Sequence, residues 1–366
     1  MLNRLKHHFL SFDWIIFSVV LLLSLFGLIE IYSIALGQEN LSLLNLEKQT
    51  IAIILGIIAL FVFSFVDFSF IRSFSNYIYG FGVFILILVL IFGKTVRGTT
   101  GWFEIFGFSL QPVEFVKVIA IIFLAKFFSN TAFKMRPLKS LLLSLLGIAV
   151  FVFLIILQPD FGPVVIIMGL WFCFLILNGF KKKYLLMIII PFILISFFLW
   201  NFYFKEYQKG RILTLLNPGA SSLSEGYNVS QALIAVGSGG LTGRGVGFGS
   251  QSQLKFLPEA QNDFIFSVIA EELGFLGATL VLFLFFVLFW RLLVVSRKIN
   301  NDFAVFVILG AVVLIFIEMF INIGMNIGLV PVMGISLPFI SYGGSATIAN
   351  FILIGIIQNI IIKAKS

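Results

Sequence analysis

The chain has 366 residues, of which 60% are hydrophobic and only 11% are charged, with a formal net charge of +8. Soluble domains usually carry about 25% charged residues, so this composition excludes an ordinary soluble protein. A spanning helix needs about 20 apolar residues, and the apolar runs here are continuous rather than alternating, which excludes a membrane β-barrel. We therefore predict an all-α, polytopic integral membrane protein.

Windowed hydropathy divides the chain into ten predicted transmembrane helices and one long loop, within a single transmembrane domain covering residues 1–366. The loop, 203–263, lies between spans seven and eight and is too long to be a simple connector. The first apolar run is long for a signal peptide, so it is predicted to be a retained anchor. The predicted spans are residues 13–34, 48–66, 73–92, 111–129, 139–157, 161–179, 184–202, 264–290, 303–326 and 343–362.

Basic residues are concentrated in the loops on the same side as the termini. They form short clusters between spans, such as Lys181–Lys183 and Arg297–Lys298, whereas the opposite short loops hold only Lys48, Lys94 and Arg97. Positive charge in short loops marks the cytoplasmic side of a membrane protein. Both termini are therefore predicted to be cytoplasmic and the long loop external. Because the basic clusters set orientation, we expect no nucleic acid partner.

Four acids lie where the long loop re-enters the apolar part of the chain, in LKFLPEAQNDFIFSVIAEELG. Glu259 and Asp263 are at the boundary, and Glu271 and Glu272 are deeper. Ionised carboxylates near hydrocarbon are costly unless they face water, a partner or a substrate, so these acids are functional candidates. A helix beginning near Pro258 would place Asp263 and Glu271 on one face, with Glu271 about 12 Å deeper, and would turn Glu272 away from that face.

Two further spans carry polar side chains on one face. In QPVEFVK, at the start of the fourth span, Glu114 and Lys117 are three residues apart, a spacing at which opposite charges pair. This pair either fixes helix packing or forms a charged wall of a substrate cavity. In the ninth span, Glu318, Asn322 and Asn326 recur every four residues. Such a stripe either makes interhelical hydrogen bonds or lines a wet cavity.

The segment KTVRGTTGWFEIFGFSLQP, which precedes the fourth span, is too short and interrupted to cross a membrane. We predict a re-entrant or interfacial segment with Trp102 at the depth of the lipid headgroups. Arg97 is then either a phosphate ligand or an interfacial anchor. Between spans five and six, LQPDFGP predicts a tight external turn, in which Asp160 is either an ordinary turn residue or part of a site.

Two glycine-containing motifs lie on the predicted external side. The long loop contains the glycine-rich stretch Gly237–Gly249, which carries Arg244 and lacks the spacing of a P-loop. This stretch is either flexible or allows close approach of the backbone to a ligand. The tenth span opens with PFISYGGSA, where Ser341 is a predicted helix N-cap. The segment around Ser345 is either an anion-binding helix N-terminus or a close-packing face.

These motifs together resemble the SEDS family of shape, elongation, division and sporulation proteins. The signatures are QPVEFVK, LQPDFGP, the glycine-rich loop, FLPEAQNDFIFSVIAEELG and LPFISYGGSA, in that order, and they are more similar to the RodA branch than to FtsW. The sequence departs from the family pattern where Gly101 replaces the usual arginine before Trp102, where Val113 replaces a serine, and where Gln261 and Asn262 replace His-Thr. Without this arginine, Arg97 and Lys94 are the basic residues of that segment that could take a phosphate role.

The resemblance implies a peptidoglycan glycosyltransferase that polymerises lipid II at the outer face of the cell membrane, in partnership with a class B penicillin-binding protein. It implies that Asp263 is the essential catalytic residue, and we expect it to take the proton of the attacking sugar hydroxyl. The departing diphosphate needs positive charge, which Arg97, Lys117, Arg211, Arg244 or a divalent cation, Mg²⁺ or Mn²⁺, would supply. The predicted substrate-binding residues are Glu114, Lys117, Arg97, Asp160, Glu259, Arg244 and Ser345.

Two other functions remain open from the sequence. The chain is alternatively a lipid II flippase or other transporter, which broken helices and internal repeats would favour. It is otherwise a non-catalytic membrane scaffold for a transpeptidase, which would tolerate substitution of Asp263.

Overall fold

The residues that the structure describes form a bundle of long apolar helices with one small sheet. The computed structural model describes residues 2–37, 42–96, 98–105, 107–131, 136–190 and 225–365. The named elements are α1 Leu2–Ser11, α2 Trp14–Leu36, α3 Leu44–Phe65, α4 Phe68–Phe92, β1 Lys94–Val96, β2 Thr99–Ile105, β3 Phe108–Leu110, α5 Pro112–Thr131, α6 Pro137–Ile156, α7 Phe161–Leu177, α8 Glu225–Ser238, α9 Ser250–Gln253, α10 Ile265–Ser296, α11 Asp302–Asn326 and α12 Gly344–Lys365.

The predicted polytopic helical fold is confirmed. Seven of the described helices, namely α2, α3, α4, α6, α10, α11 and α12, are long and apolar enough to cross a membrane. The first six and the last three predicted spans each coincide with a helix. Of the seventh, 184–202, the described part ends at residue 190, and residues 182–190 are helical.

Helix α12 lies at the centre of the bundle, and 83% of the residues in an apolar 18-residue stretch of it are buried. It packs against α3 so closely that a Cβ on Gly355 would be 2.5 Å from the Leu60 backbone oxygen. At the end that holds the termini, Gln358 binds both the backbone N–H and the carbonyl of Asp13, and Asn359 accepts from Phe68 N. These amides thus bind backbone groups at the starts of α2 and α4, where a helix leaves its first N–H groups without intrahelical partners.

The segment before α5 is a three-stranded antiparallel sheet in the order β1-β2-β3, a structure that the re-entrant or interfacial prediction did not include. Gly98 and Gly107 have φ of 82° and 79°, a left-handed conformation that glycine adopts without strain, and they lie in the turns between the strands. Lys94 on β1 forms an ion pair with Glu104 on β2. The sheet is tied to the α6–α7 turn by a hydrogen bond from Thr100 N to the Gln158 carbonyl, 3.3 Å long.

Helix α10 begins at Ile265, in agreement with the predicted span 264–290. A helix beginning as early as Pro258 is not present, because Lys255 and Glu259 have positive φ values of 59° and 55°. The Glu259 carbonyl accepts the N–H groups of Asn262, Asp263 and Phe264, which closes a turn in place of a first helical turn. Asp263 therefore lies in this turn, two residues before the helix.

Helix α10 is also interrupted at Gly274, where φ is 66° and ψ is −160°. The glycine-rich loop fills the interruption. The N–H groups of Arg244 and Gly245 donate to the carbonyls of Glu271 and Glu272, at 3.0 and 2.8 Å, and the loop carbonyls of residues 240 and 241 accept from the N–H groups of residues 275 and 276. The backbone groups freed by the break are thus paired with the loop, as buried backbone requires.

Candidate active site

The backbone of Asp263 is held by helix α11. Its carbonyl oxygen accepts hydrogen bonds from Asn322 Nδ2, at 3.0 Å, and from Asn326 Nδ2, at 2.9 Å. Its N–H donates to the Glu259 carbonyl at 3.2 Å. Both asparagine side chains are fully buried. The predicted polar stripe on this helix therefore makes hydrogen bonds to neighbouring segments, and its two asparagines share the carbonyl of the residue predicted to be catalytic.

The Asp263 side chain is half-buried and faces Gly334, in the irregular segment between α11 and α12. A Cβ on Gly334 would lie 3.8 Å from Asp263 Oδ2, and the φ of Gly334 is 67°. The neighbouring Met333 carbonyl lies 2.7 Å from where a Cβ on Gly162 would be. The 333–335 segment therefore lies against both Asp263 and the first turn of α7, which follows Asp160.

Glu259 is half-buried and supports the same turn as Asp263. Its Oε2 accepts a hydrogen bond of 2.7 Å from Asn262 Nδ2. The Asn262 carbonyl in turn accepts from Ser341 Oγ at 2.6 Å, and the Leu337 N–H donates to that same Oγ. The prediction that Ser341 caps the last helix is therefore wrong: its hydroxyl joins two loops, and the Gly343 N–H before α12 donates to Gln49 Oε1.

Lys117 lies between two carboxylates. Its Nζ is 2.9 Å from Glu114 Oε2, which confirms the pairing predicted from the three-residue spacing, and 2.5 Å from Glu318 Oε1 on α11. The Lys117 and Glu318 side chains are only 5% and 4% exposed. A buried lysine with two acids is strongly held, because removing it would leave unpaired charges out of water.

Asp160 and Ser345 are brought together by Gln111. Gln111 Nε2 donates to Asp160 Oδ2 at 3.0 Å, and the Gln111 N–H donates to Ser345 Oγ at 2.8 Å. Burial, with a smaller contribution from the negative charge of Glu114, raises the pKa of Asp160 from 3.8 to about 6. Asp160 is therefore electrostatically coupled to the Lys117 cluster.

Arg244 belongs to a different group. It is exposed, and its Nη1 donates to Ser250 Oγ at 2.8 Å. Glu271 accepts from the Ser250 hydroxyl and from two N–H groups at the start of α9, and Glu272 accepts from Ser33 Oγ and the Gly247 N–H. The two deep glutamates thus hold the glycine-rich loop against α10. Arg97 lies outside the residues that the structure describes.

Sequence reasoning missed the contacts that four residues make at the site. Glu318 was recognised as polar, but not as a second partner of Lys117, because its contact is between helices distant in sequence. Gln111 was visible only as part of QPVEFVK, although it links two predicted residues. The asparagines at 322 and 326 had a signal in their four-residue spacing, which did not identify their partner.

The charged groups collect at the end of the bundle opposite the chain termini, where α5, α7, α10 and α12 begin and α11 ends. Within the described residues, no group of three or more His, Cys, Asp or Glu side chains has an arrangement that would hold a metal ion. The fold and the site together define a multi-pass membrane protein with a buried lysine–carboxylate cluster and a backbone-anchored aspartate at one membrane face.

The chain is similar to proteins of bacterial growth and division. Residues 13–366 match the FtsW/RodA/SpoVE model of cell cycle proteins. The chain is 36% identical to stage V sporulation protein E of Bacillus subtilis, over 95% of this chain and 96% of that protein. It is 33% identical to a probable peptidoglycan glycosyltransferase FtsW of Coxiella burnetii, over 97% and 98%, and 32% identical to the peptidoglycan glycosyltransferase MrdB of Escherichia coli K12, over 93% and 91%.

Solved structures share the fold. A chain from a peptidoglycan synthase complex that coordinates polymerization and crosslinking superposes with a TM-score of 0.81 at 25% identity, covering 96% of this chain and 98% of that one. Thermus thermophilus RodA gives a TM-score of 0.71 at 24% identity, over 96% of each chain. This chain therefore belongs to the SEDS family, the family of FtsW, RodA and SpoVE. Since the relatives from all three branches have similar identities, the RodA assignment stays a prediction.

Proposed function

We propose that this protein is a peptidoglycan glycosyltransferase that polymerises lipid II at the outer face of the cell membrane, with Asp263 as the general base. The activity is supported by the relatives named peptidoglycan glycosyltransferase, which align with nearly the whole chain. The external orientation is supported by the basic loops on the side of the termini, because the site lies at the opposite end of the bundle.

The observation that carries the assignment of the base is the anchored position of Asp263. It lies in a turn just before α10, half-buried, with its carbonyl held by two buried asparagines and its carboxylate facing Gly334. A base must be held within hydrogen-bond reach of the hydroxyl that it deprotonates.

The chemistry follows from the reacting groups. A sugar hydroxyl of one lipid-linked disaccharide attacks the anomeric carbon of another, Asp263 takes its proton, and the bond to the diphosphate breaks with inversion. The hydroxyl becomes acidic only as it attacks, so a positioned carboxylate contributes about 10²–10⁴-fold to the rate. The diphosphate leaves with its negative charge, which a cation stabilises.

Among the basic residues that the structure describes, we assign Lys117 to the substrate cavity, with Glu114, Asp160 and Glu318 around it. Because Lys117 already pairs with two acids, its charge is largely neutralised by them. We therefore assign it to orienting the substrate, and we assign diphosphate stabilisation to Arg97, Arg211, Arg244 or a bound Mg²⁺ or Mn²⁺. Glu259 and Ser345 are assigned to the rim of the cavity, and a class B penicillin-binding protein crosslinks the product.

A transporter is the second candidate, because the break in α10 at Gly274 resembles the discontinuous helices of transporters. In those proteins the break lines a substrate site. Here the break is filled by the protein's own loop, whose backbone takes up the N–H and carbonyl groups at 271–276. This filling favours a fixed scaffold around the site over a transport path.

The test is to incubate the detergent-purified full chain with lipid II, alone and with its transpeptidase partner, and to separate the glycan products by gel. We expect glycan ladders with the wild-type protein and none with Asp263→Ala. The matched control is Asp302→Ala, since Asp302 is an exposed acid in the first turn of α11, at its far end. This control should polymerise at the wild-type rate.

Each alternative has its own outcome. Ladders from Asp263→Ala at the wild-type rate would refute the base assignment. If the wild-type protein makes no glycan but moves lipid II across reconstituted vesicles, the protein is a transporter. If it does neither and only binds the transpeptidase, it is a scaffold.

A further inference from the structure

Two asparagine amides converge on one backbone carbonyl. Asn322 and Asn326, one turn apart on α11, both donate to the carbonyl oxygen of Asp263, at 3.0 and 2.9 Å. A carbonyl has two lone pairs, so this oxygen is fully used. Neither asparagine side chain is exposed to solvent.

The orientation of the Asn326 amide is fixed by its partners. Its Oδ1 accepts from the Ser267 N–H, at 3.0 Å, and from Ser267 Oγ, at 2.6 Å. A backbone N–H only donates, so the oxygen must face Ser267 and the nitrogen must face Asp263. The Nδ2 group also donates to the Asn322 carbonyl at 2.8 Å. One side chain therefore ties the turn at Asp263 to the first turn of α10.

Asn322 also ties the segment that faces the Asp263 carboxylate to α11. Besides Asp263, its Nδ2 donates to the Ile335 carbonyl at 2.7 Å. Ile335 follows Gly334, the residue that faces Asp263 Oδ2. The backbone that carries the acid and the backbone opposite it are thus both fixed by one amide on α11.

From this geometry we propose that Asn322 and Asn326 are positioning residues, which set the depth and direction of the Asp263 carboxylate relative to the facing segment. The inference rests on the proposed function of Asp263. The Glu259 carbonyl and the bond from Ser341 Oγ to the Asn262 carbonyl also hold this turn, whereas the two asparagine amides bind the carbonyl of Asp263 itself. Loss of either amide would therefore let the carboxylate shift, and a misplacement of about 1 Å costs on the order of 100-fold in rate.

The experiment uses near-isosteric substitutions and a matched buried asparagine. Asn326→Asp keeps the acceptor for Ser267 but replaces the donor to Asp263. Asn322→Ala removes one donor and leaves the Asn326 bond in place. The control is Asn359→Asp, since Asn359 is also buried, accepts from Phe68 N at 2.9 Å and donates to the Ser64 carbonyl at 2.8 Å. It lies about 23 Å along α12 from its start, at the end away from Asp263.

For each purified variant, kcat and KM for lipid II polymerisation and the melting temperature are measured. We expect Asn326→Asp to lower kcat about 100-fold with little change in KM, and Asn322→Ala to lower it by a smaller factor. Asn359→Asp should lower the melting temperature and leave kcat close to the wild-type value.

Three results would overturn the inference. One is a wild-type kcat in both Asn322→Ala and Asn326→Asp while Asp263→Ala is inactive, which would leave the proposed function intact. Another is a loss of kcat in Asn359→Asp equal to that in Asn326→Asp, which would reduce the role to general stability. A fully active Asp263→Ala would instead refute the proposed function itself. If Asn326→Asp does not fold, the kcat of Asn322→Ala alone tests the inference, and a wild-type value would overturn it.

Discussion

A single methyl group at Gly243 should separate the glycine-rich loop from helix α10. Gly243 has a φ of 78°, and a Cβ there would be 2.1 Å from the Glu272 carbonyl oxygen and 2.6 Å from Gly274 N. Ordinary van der Waals contact is about 3.5 Å, so the loop must move by more than 1 Å. The atoms in the way belong to backbone, which does not rotate aside as a side chain does.

The magnitude follows from the bonds that this movement breaks. The N–H groups of Arg244 and Gly245 would leave the carbonyls of Glu271 and Glu272. Each buried carbonyl left unpaired costs about 1–3 kcal/mol. The two unpaired carbonyls should therefore lower the free energy of unfolding of Gly243→Ala by about 4 kcal/mol. That corresponds to roughly a 1000-fold fall in the ratio of folded to unfolded protein.

The matched control is Gly240→Ala. Gly240 also has a positive φ, 56°, but no atom lies within 4 Å of where its Cβ would be. Gly240→Ala is therefore destabilised only by the strain of the left-handed conformation, about 1–2 kcal/mol, and Gly243→Ala carries the same strain. Thermal unfolding of both variants in the same detergent measures the difference. Equal melting temperatures for the two variants would refute the reasoning.

Two further predictions concern the charged cluster. Lys117→Met should destabilise the protein by about 3–5 kcal/mol, because it leaves two buried carboxylates unpaired. Adding Glu318→Gln should recover part of this loss, as measured by thermal unfolding. An unchanged melting temperature in Lys117→Met would show that the ion pairs of this cluster do not stabilise the protein. The folded-state pKa of Asp160, about 6, is above its ordinary value of 3.8, so wild-type stability should fall as pH rises from about 4 to about 6. Asp160→Asn should remove this part of the pH dependence of the melting temperature, and identical pH profiles would disprove it.

Features that depend on local periodicity were predictable from the sequence. Continuous apolar runs gave the helices, because each span must satisfy its backbone internally. The three-residue spacing of Glu114 and Lys117 predicted their ion pair. The four-residue spacing of Asn322 and Asn326 predicted that both side chains lie on one face of the helix, from which they bind the same carbonyl.

Features that depend on tertiary contacts or on unusual backbone angles were not predictable. The start of α10 agrees with the predicted span, but the turn before it follows from the positive φ of Glu259, which an acidic residue does not signal. The break at Gly274 exists because a distant loop pairs with it, and a lone glycine in an apolar run is usually tolerated within a helix. The small sheet was missed because its strands β1 and β3 have three residues each, too short for a clear period.

The filled break in α10 also bears on how the protein enters the membrane. The break lies nine residues, or about 14 Å, along the helix from Ile265, at a depth where unpaired backbone groups cost several kcal/mol each. Residues 265–296 therefore do not complete their own backbone hydrogen bonding. They need residues 240–245, which precede them in the chain, and so the glycine-rich loop and both halves of α10 should enter the bilayer as one folded unit.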